Sequence, residues 1–168
     1  MLRRHFAFGL AAGLAGLATG YAARSEDQQA LIKAMGDVKV SLQQGLTSSQ
    51  RDGRPISAKF EIEDGKLQLS VYTEKDGKFS EVIVDHNTGS VAKSEPITEG
   101  DDFTHAKSQS AAIAKAKTQL KDAVDKAIGK AAGARAVSAT AEMKGGRAVA
   151  SIELLRGGQI QSVTEQLD

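Results

Sequence analysis

Between residues 56 and 84 apolar and polar side chains alternate. Ile56, Ala58, Phe60 and Ile62 interleave with Ser57, Lys59, Glu61 and Glu63, the period-two pattern of a strand with one buried face. Asp64-Gly65 then predicts a tight turn. Leu67, Leu69 and Val71 alternate with Gln68, Ser70 and Tyr72, Asp76-Gly77 predicts a second turn, and Phe79 to Val84 supplies a third strand. Asp-Gly suits two-residue hairpins because their primed turns need positive φ, which glycine adopts without a Cβ clash. The pattern recurs near the end of the chain. Val137, Ala139, Ala141 and Met143 predict a strand, Arg147 to Leu155 a second and Ile160 to Leu167 a third, with Gly145-Gly146 and Gly157-Gly158 at the turns. Between the two meanders, residues 87–102 read as a turn, a short edge strand at Ser90 to Lys93 and a polar linker around Pro96 and Gly100.

A helical stretch precedes each meander. Ser25 with Gln28 forms a candidate capping box, and Leu31, Met35, Val38, Leu42 and Leu46 recur at steps of three and four. Gly36-Asp37 predicts a break, since an interior glycine weakens a helix. A second helix is expected from a Thr104 cap to Gly129, with Ile113, Ala116, Leu120, Val124, Ala127 and Ile128 as one apolar stripe.

Laying Ile56 to Asn87 over Val137 to Asp168, at an offset of 81 and without a gap, aligns Ser57/Ser138, Ala58/Ala139, Glu61/Glu142, Gly65/Gly146, Ser70/Ser151, Gly77/Gly158 and Val82/Val163. Arg54/Arg135 extends the match upstream. Such self-similarity predicts a duplication. The expected architecture is α+β: two tandem helix-plus-antiparallel-meander (αβββ) repeats, each with its helix on one face of its sheet. Residues 1–22 read as a signal segment, 23–98 as the first repeat and 99–168 as the second. Units of this size are marginal alone, so the repeats are expected to pack together, extending one sheet.

The amino terminus carries an address. Met1-Leu2-Arg3-Arg4-His5 is cationic, Phe6 to Ala18 is an uncharged run of Phe, Ala, Gly and Leu, and Thr19-Gly20-Tyr21-Ala22 offers small residues for cleavage after Ala22. The run is shorter than a spanning helix needs, which predicts no stable membrane insertion after cleavage. Arg3-Arg4-His5-Phe6 also matches the core of a twin-arginine signal, leaving two export routes, general secretory and twin-arginine, to a bacterial periplasm or the exterior. Removing Arg3 and Arg4 leaves 20 basic against 21 acidic residues. That balance, with only Phe60, Tyr72, Phe79 and Phe103 as aromatics beyond residue 22, argues against a nucleic-acid partner. No cysteine is present, which excludes disulfides, thiolate nucleophiles and cysteine-ligated zinc.

The Ala-rich helix, Ala-Gly-Ala-Arg-Ala-Val-Ser at 132–138, the meander with glycine turns, and Val82-Ile83-Val84-Asp85-His86-Asn87-Thr88-Gly89-Ser90-Val91 together resemble the PepSY domain. The resemblance covers about residues 26–168 as two copies, the second lacking the strand-Asp-x-x-Thr-Gly-x-Val ending. It implies a small α+β module of exported proteins, a binding or regulatory role toward a peptidase, and no catalytic residues. On the residues alone, Asp85-His86-Asn87-Thr88-Gly89 reads as a polar turn.

Few residues carry recognisable chemistry. There is no Gly-x-Ser-x-Gly, no Gly-x-Gly-x-x-Gly or Walker loop and no His-Glu-x-x-His, and only His86 and His105 remain beyond the signal segment. No catalytic or cofactor-binding residue is expected, and the chain is not expected to be an enzyme. EF-hand spacing fails, because placing Gly65 or Gly77 at loop position six puts Phe60 or Tyr72 where a carboxylate is required. Glu99, Asp101, Asp102 and His105 are the candidate metal ligands, three carboxylates and an imidazole within seven residues at a helix start. Hard cations of calcium or lanthanide type bind such oxygens, while a helix dipole also favours acids there without any metal. The leading expectation is a non-enzymatic exported module that binds a protein or extended peptide partner through a sheet edge, regulating or inhibiting a peptidase. The alternative is a periplasmic metal-ion binding protein using the acidic loop residues.

Overall fold

The computed structural model describes the backbone of residues 20–168 and side chains from Glu26 onward. The signal segment falls outside the described residues up to Thr19, and the expected cleavage point after Ala22 lies in the first turn of the first helix. Among the described residues four α-helices pack against one seven-stranded antiparallel sheet, an α+β arrangement. The helices are α1 (Gly20–Ala34), α2 (Leu42–Ser48), α3 (Gly100–Lys115) and α4 (Leu120–Lys130). The strands are β1 (Arg54–Glu63), β2 (Lys66–Lys75), β3 (Lys78–Val84), β4 (Val91–Ile97), β5 (Arg135–Lys144), β6 (Arg147–Arg156) and β7 (Gln159–Gln166), in spatial order β4-β3-β2-β1-β5-β6-β7. Asp64 and Gly65 (φ 48° and 75°) close the β1–β2 hairpin with both residues left-handed, as a type I′ turn requires.

The two meanders join through β1 and β5, which pair antiparallel at Ser57↔Thr140, Ala58↔Ala139 and Lys59↔Ser138. Their details coincide at a separation of 81. β1 and β5 start at Arg54 and Arg135, the registers shift between Pro55/Ser57 and Ala136/Ser138, and Ser70 donates to Glu61 as Ser151 does to Glu142. The carbonyl of His86 accepts the N–H groups of Lys39 and Val40 (3.2 and 3.1 Å), and that of Leu167 accepts those of Lys117 and Thr118 (2.6 and 2.9 Å). In each case the end of a meander brackets the chain just before a helix.

Three helical expectations need correction. α1 runs through Ser25, so the capping box forms later: Ser41 Oγ accepts from Gln44 N, and Gln44 Oε1 accepts from Ser41 N at 2.8 Å. The break at Gly36-Asp37 is present as a 3-10 turn at Met35–Asp37. The single long helix from Thr104 is instead α3 and α4, interrupted where Lys117 and Thr118 give their N–H groups to Leu167. Thr104 lies inside α3, where its hydroxyl donates to the Gly100 carbonyl at 3.2 Å, while Glu99 is the N-cap. The edge strand also runs further than expected, with Pro96 inside β4.

Helices cover both faces of the sheet, not one. Ala58, Leu69, Val71, Ala139 and Ile152 share one face by register. There α2 brings Gly45 against Leu69, and α4 brings Lys126 and Lys130 to Glu165 of β7. Phe79 and Tyr72 lie on the opposite face, and Phe103 of α3 packs edge-on against Phe79, with ring centroids 5.6 Å apart. α3 crosses this second face, burying Ala106, Gln109, Ala112 and Ile113. Beneath it the small Ser57 and the larger Tyr72 are almost fully covered.

Candidate functional site: an acidic concavity beside an edge strand

Because α3 crosses only part of its face, the remainder is a concavity of about 1270 Å³, floored by β1 to β4 and rimmed by the start of α3. Its charged lining includes Glu61, Glu63, Glu81, Glu95 and Asp102 against Lys59 and Lys93. Strand alternation explains this composition. The residues interleaved with the apolar core positions of β1 to β4 all point to this face, and in β1 they are Lys59, Glu61 and Glu63.

A hydrogen-bonded chain crosses the floor. Lys59 Nζ lies 2.6 Å from Glu61, Ser70 Oγ donates to Glu61 at 2.9 Å, and Gln68 Nε2 donates to Ser70 at 2.9 Å and to Glu63 at 3.3 Å. Glu63 is held above the usual carboxylate range by burial and by the charges of Glu61 and Asp64. Glu81 faces Tyr72 across one strand pair and Glu95 across the other. Burial, opposed in part by the Ser70 hydroxyl and reinforced by Glu61, Glu63 and Asp102, pushes its carboxyl up to about 7. The Tyr72 phenol is raised far above its ordinary value by burial and by the charges of Glu81 and Asp102.

The four candidate metal ligands separate at the start of α3. Asp102 turns to the sheet, toward Tyr72 and Glu81, and His105 is partly covered one turn later, whereas Glu99 and Asp101 are exposed. Among the described residues no three His, Asp or Glu side chains converge closely enough to hold a metal ion. Reading by sequence neighbourhood missed Tyr72 and Glu81 as the groups Asp102 meets. Their polarity on a half-buried strand was the available signal, and it does not reveal a helix lying above.

The turn after β3 has a structural role. Asp85 Oδ1 accepts from Asn87 N and Thr88 N, both at 2.8 Å, and these bonds hold its carboxyl below the usual carboxylate range. Gly89 (φ 77°) donates its N–H to the Asp85 carbonyl, and its own carbonyl accepts from Ser48 Oγ at 2.7 Å. The turn therefore docks the segment around α2 and directs the chain into β4.

β4 is the outermost strand on this side, hydrogen-bonded to β3 along one edge only among the described residues. Ala92, Lys93 and Ser94 are exposed. Pro96 lacks an N–H and shortens the pairing edge, a common way of blunting an outer strand. A smaller recess of about 530 Å³ between α2, β1 and the start of α4 holds Arg54 and Lys121 but no acidic side chain. Among the described residues no helix is long and apolar enough to cross a membrane.

No protein-family model matches the chain. No curated protein matches it. Among solved structures it is similar to a "putative lipoprotein" from Clostridium difficile 630, at 13% identity and a TM-score of 0.39, over 77% of this chain and 95% of that one. At that distance the likeness bears on neither function nor family, and the resemblance to PepSY rests on the residues that carry it.

Proposed function

We propose that this chain is a non-enzymatic, exported, PepSY-like tandem module that binds an extended segment of a protein partner along β4. The observation that carries the reading is the juxtaposition of an outer strand, Val91–Ile97, with the acidic concavity next to it. Backbone pairing to an edge strand supplies affinity without requiring a particular sequence, and flanking side chains supply selectivity. Carboxylates outnumber lysines in the concavity, so a segment with Lys or Arg at alternate positions complements it. The matching strand boundaries, register shifts and Ser–Glu bonds at a separation of 81 support an origin by duplication. A cationic start followed by an uncharged run supports export. A module that captures extended segments is suited to regulating a peptidase, because it withholds or presents a segment in the same backbone conformation.

The test is a titration of the whole chain with ten-residue peptides of alternating Thr and Lys or alternating Thr and Glu, followed by backbone amide NMR. The Lys peptide is expected to shift the amides of Val91–Ile97 in a saturable, salt-sensitive way, and Ser94→Pro to abolish the effect without unfolding the sheet. Shifts confined to other elements, or none with either peptide, would overturn the reading.

A further inference from the structure

We propose that the first turn of α3 is a pH-dependent latch: it stays closed on the β2–β3–β4 face while Glu81 is protonated and loosens when Glu81 ionises. The inference stands independently of any partner.

Its basis is where α3 comes to rest. α3 brings Asp102 onto a sheet face that already presents carboxylates on adjacent strands. From β4, Glu95 sits directly opposite Glu81, with Lys93 as the neighbouring cation held by Glu95 at 2.9 Å. From β2, Tyr72 sits directly opposite Glu81 on its other side. From β1, Glu61 and Glu63 contribute charge, with Lys59 committed to Glu61 at 2.6 Å. From α3 itself, Asp102 acts on both Tyr72 and Glu81, and His105 is the next titratable group along the helix. Like charges placed directly across a strand pair destabilise it. Lys59 and Lys93 are ion-paired with Glu61 and Glu95.

Two buried oxygens show where the conflict concentrates. Glu81 Oε1 and Asp102 Oδ1 are shielded from solvent and have no hydrogen-bond partner among the described residues. A buried carboxylate oxygen left unsatisfied is costly when charged and much less so when its group is protonated. Neutral Glu81 lets Asp102 remain against Tyr72. Ionised Glu81 adds a second negative charge to the same covered space, and the α3 turn that covers it is also held by the Phe103–Phe79 edge contact, with Lys107 Nζ 5.7 Å from the Phe103 ring centroid.

The sign follows from the raised pKa of Glu81. Closure favours the protonated form, so the latch is tightest below the ordinary glutamate value of 4.5 and loosens as pH rises through about 7, with no further loss beyond. Opening uncovers Phe79 and Tyr72 and widens the concavity.

Amide hydrogen exchange of the whole chain between pH 5 and 8.5, corrected for intrinsic rates, reads the opening of residues 103–107 directly. The wild type is expected to lose about tenfold in protection there over that range, while α4 amides keep theirs. Glu81→Gln is expected to remove the pH dependence and leave the segment protected. Asp102→Asn, which keeps Glu81 and removes the opposing charge, is expected to weaken the dependence and serves as the test if Glu81→Gln does not fold. Protection at 103–107 that is flat with pH in the wild type, or a slope that both substitutions leave unchanged, would overturn the latch.

Discussion

Gly45 shows how closely α2 sits on the sheet. A β-carbon at this position would lie 2.6 Å from Leu69 Cδ2 and 3.2 Å from Cγ, and Leu69 is fully buried. Gly45→Ala is therefore expected to destabilise the protein by about 1–3 kcal/mol through overpacking, despite alanine's better helix propensity. Gly36 has nothing within 4 Å of the same built atom and an ordinary φ, so Gly36→Ala should stay within about 0.5 kcal/mol of wild type. Urea denaturation of the two variants side by side checks the contrast. At this scale the sequence was legible where chemistry acts locally. Asp85 forms its turn with residues two and three positions on, and the turn glycines follow from hairpin geometry. Asp102 was visible as an acid at a helix start, but its partners Tyr72 and Glu81 come from separate strands, and no local pattern announces such a meeting.

The elements show the same division between local and distant causes. The strands appear close to where alternation places them because one buried face imposes period two over eight to ten residues. The single helix expected from Thr104 to Gly129 failed because its stripe is two stripes: Ile113 belongs to α3 on one face of the sheet, and Leu120, Val124 and Ala127 belong to α4 on the other. The Leu167 carbonyl, remote in sequence, stabilises the interruption. α4 is tied to β7 by Glu165, 5% exposed, which accepts from Lys130 at 2.6 Å and meets Lys126 at 3.2 Å. Burial alone would raise Glu165, yet the two lysines hold it below the usual range. A lowered folded value stabilises above the unfolded one and is lost as pH falls through the folded one. Glu165→Gln is thus expected to cost about 1 kcal/mol at pH 7, both lysines being exposed enough to rehydrate, and to lose that difference progressively as pH falls below 4.5. Thermal melts of the pair at pH 7 and pH 3.5 measure it.

At the scale of the molecule, the expectation that two meanders extend one sheet corresponds to the β1–β5 pairing, where Ala58 and Ala139 meet at full burial. Two alanines allow α2 and α4 to approach the seam on their shared face, and α3 reaches it from the other face. The position of α3 was not legible: a helix assigned to the second meander reaches across to Tyr72 and Phe79 of the first, so neither half closes its own core. That shared helix also makes the concavity, since its first turn is the rim and the strands of the first meander are the floor. The candidate binding surface therefore exists only if both halves fold together. Native-state hydrogen exchange across a urea series is the most direct test. The account predicts that β1, β2, β5 and β6 amides converge on one opening free energy and one urea dependence, as a single cooperative unit does. Two separate families of amides, one for β1 and β2 and another for β5 and β6, would contradict it.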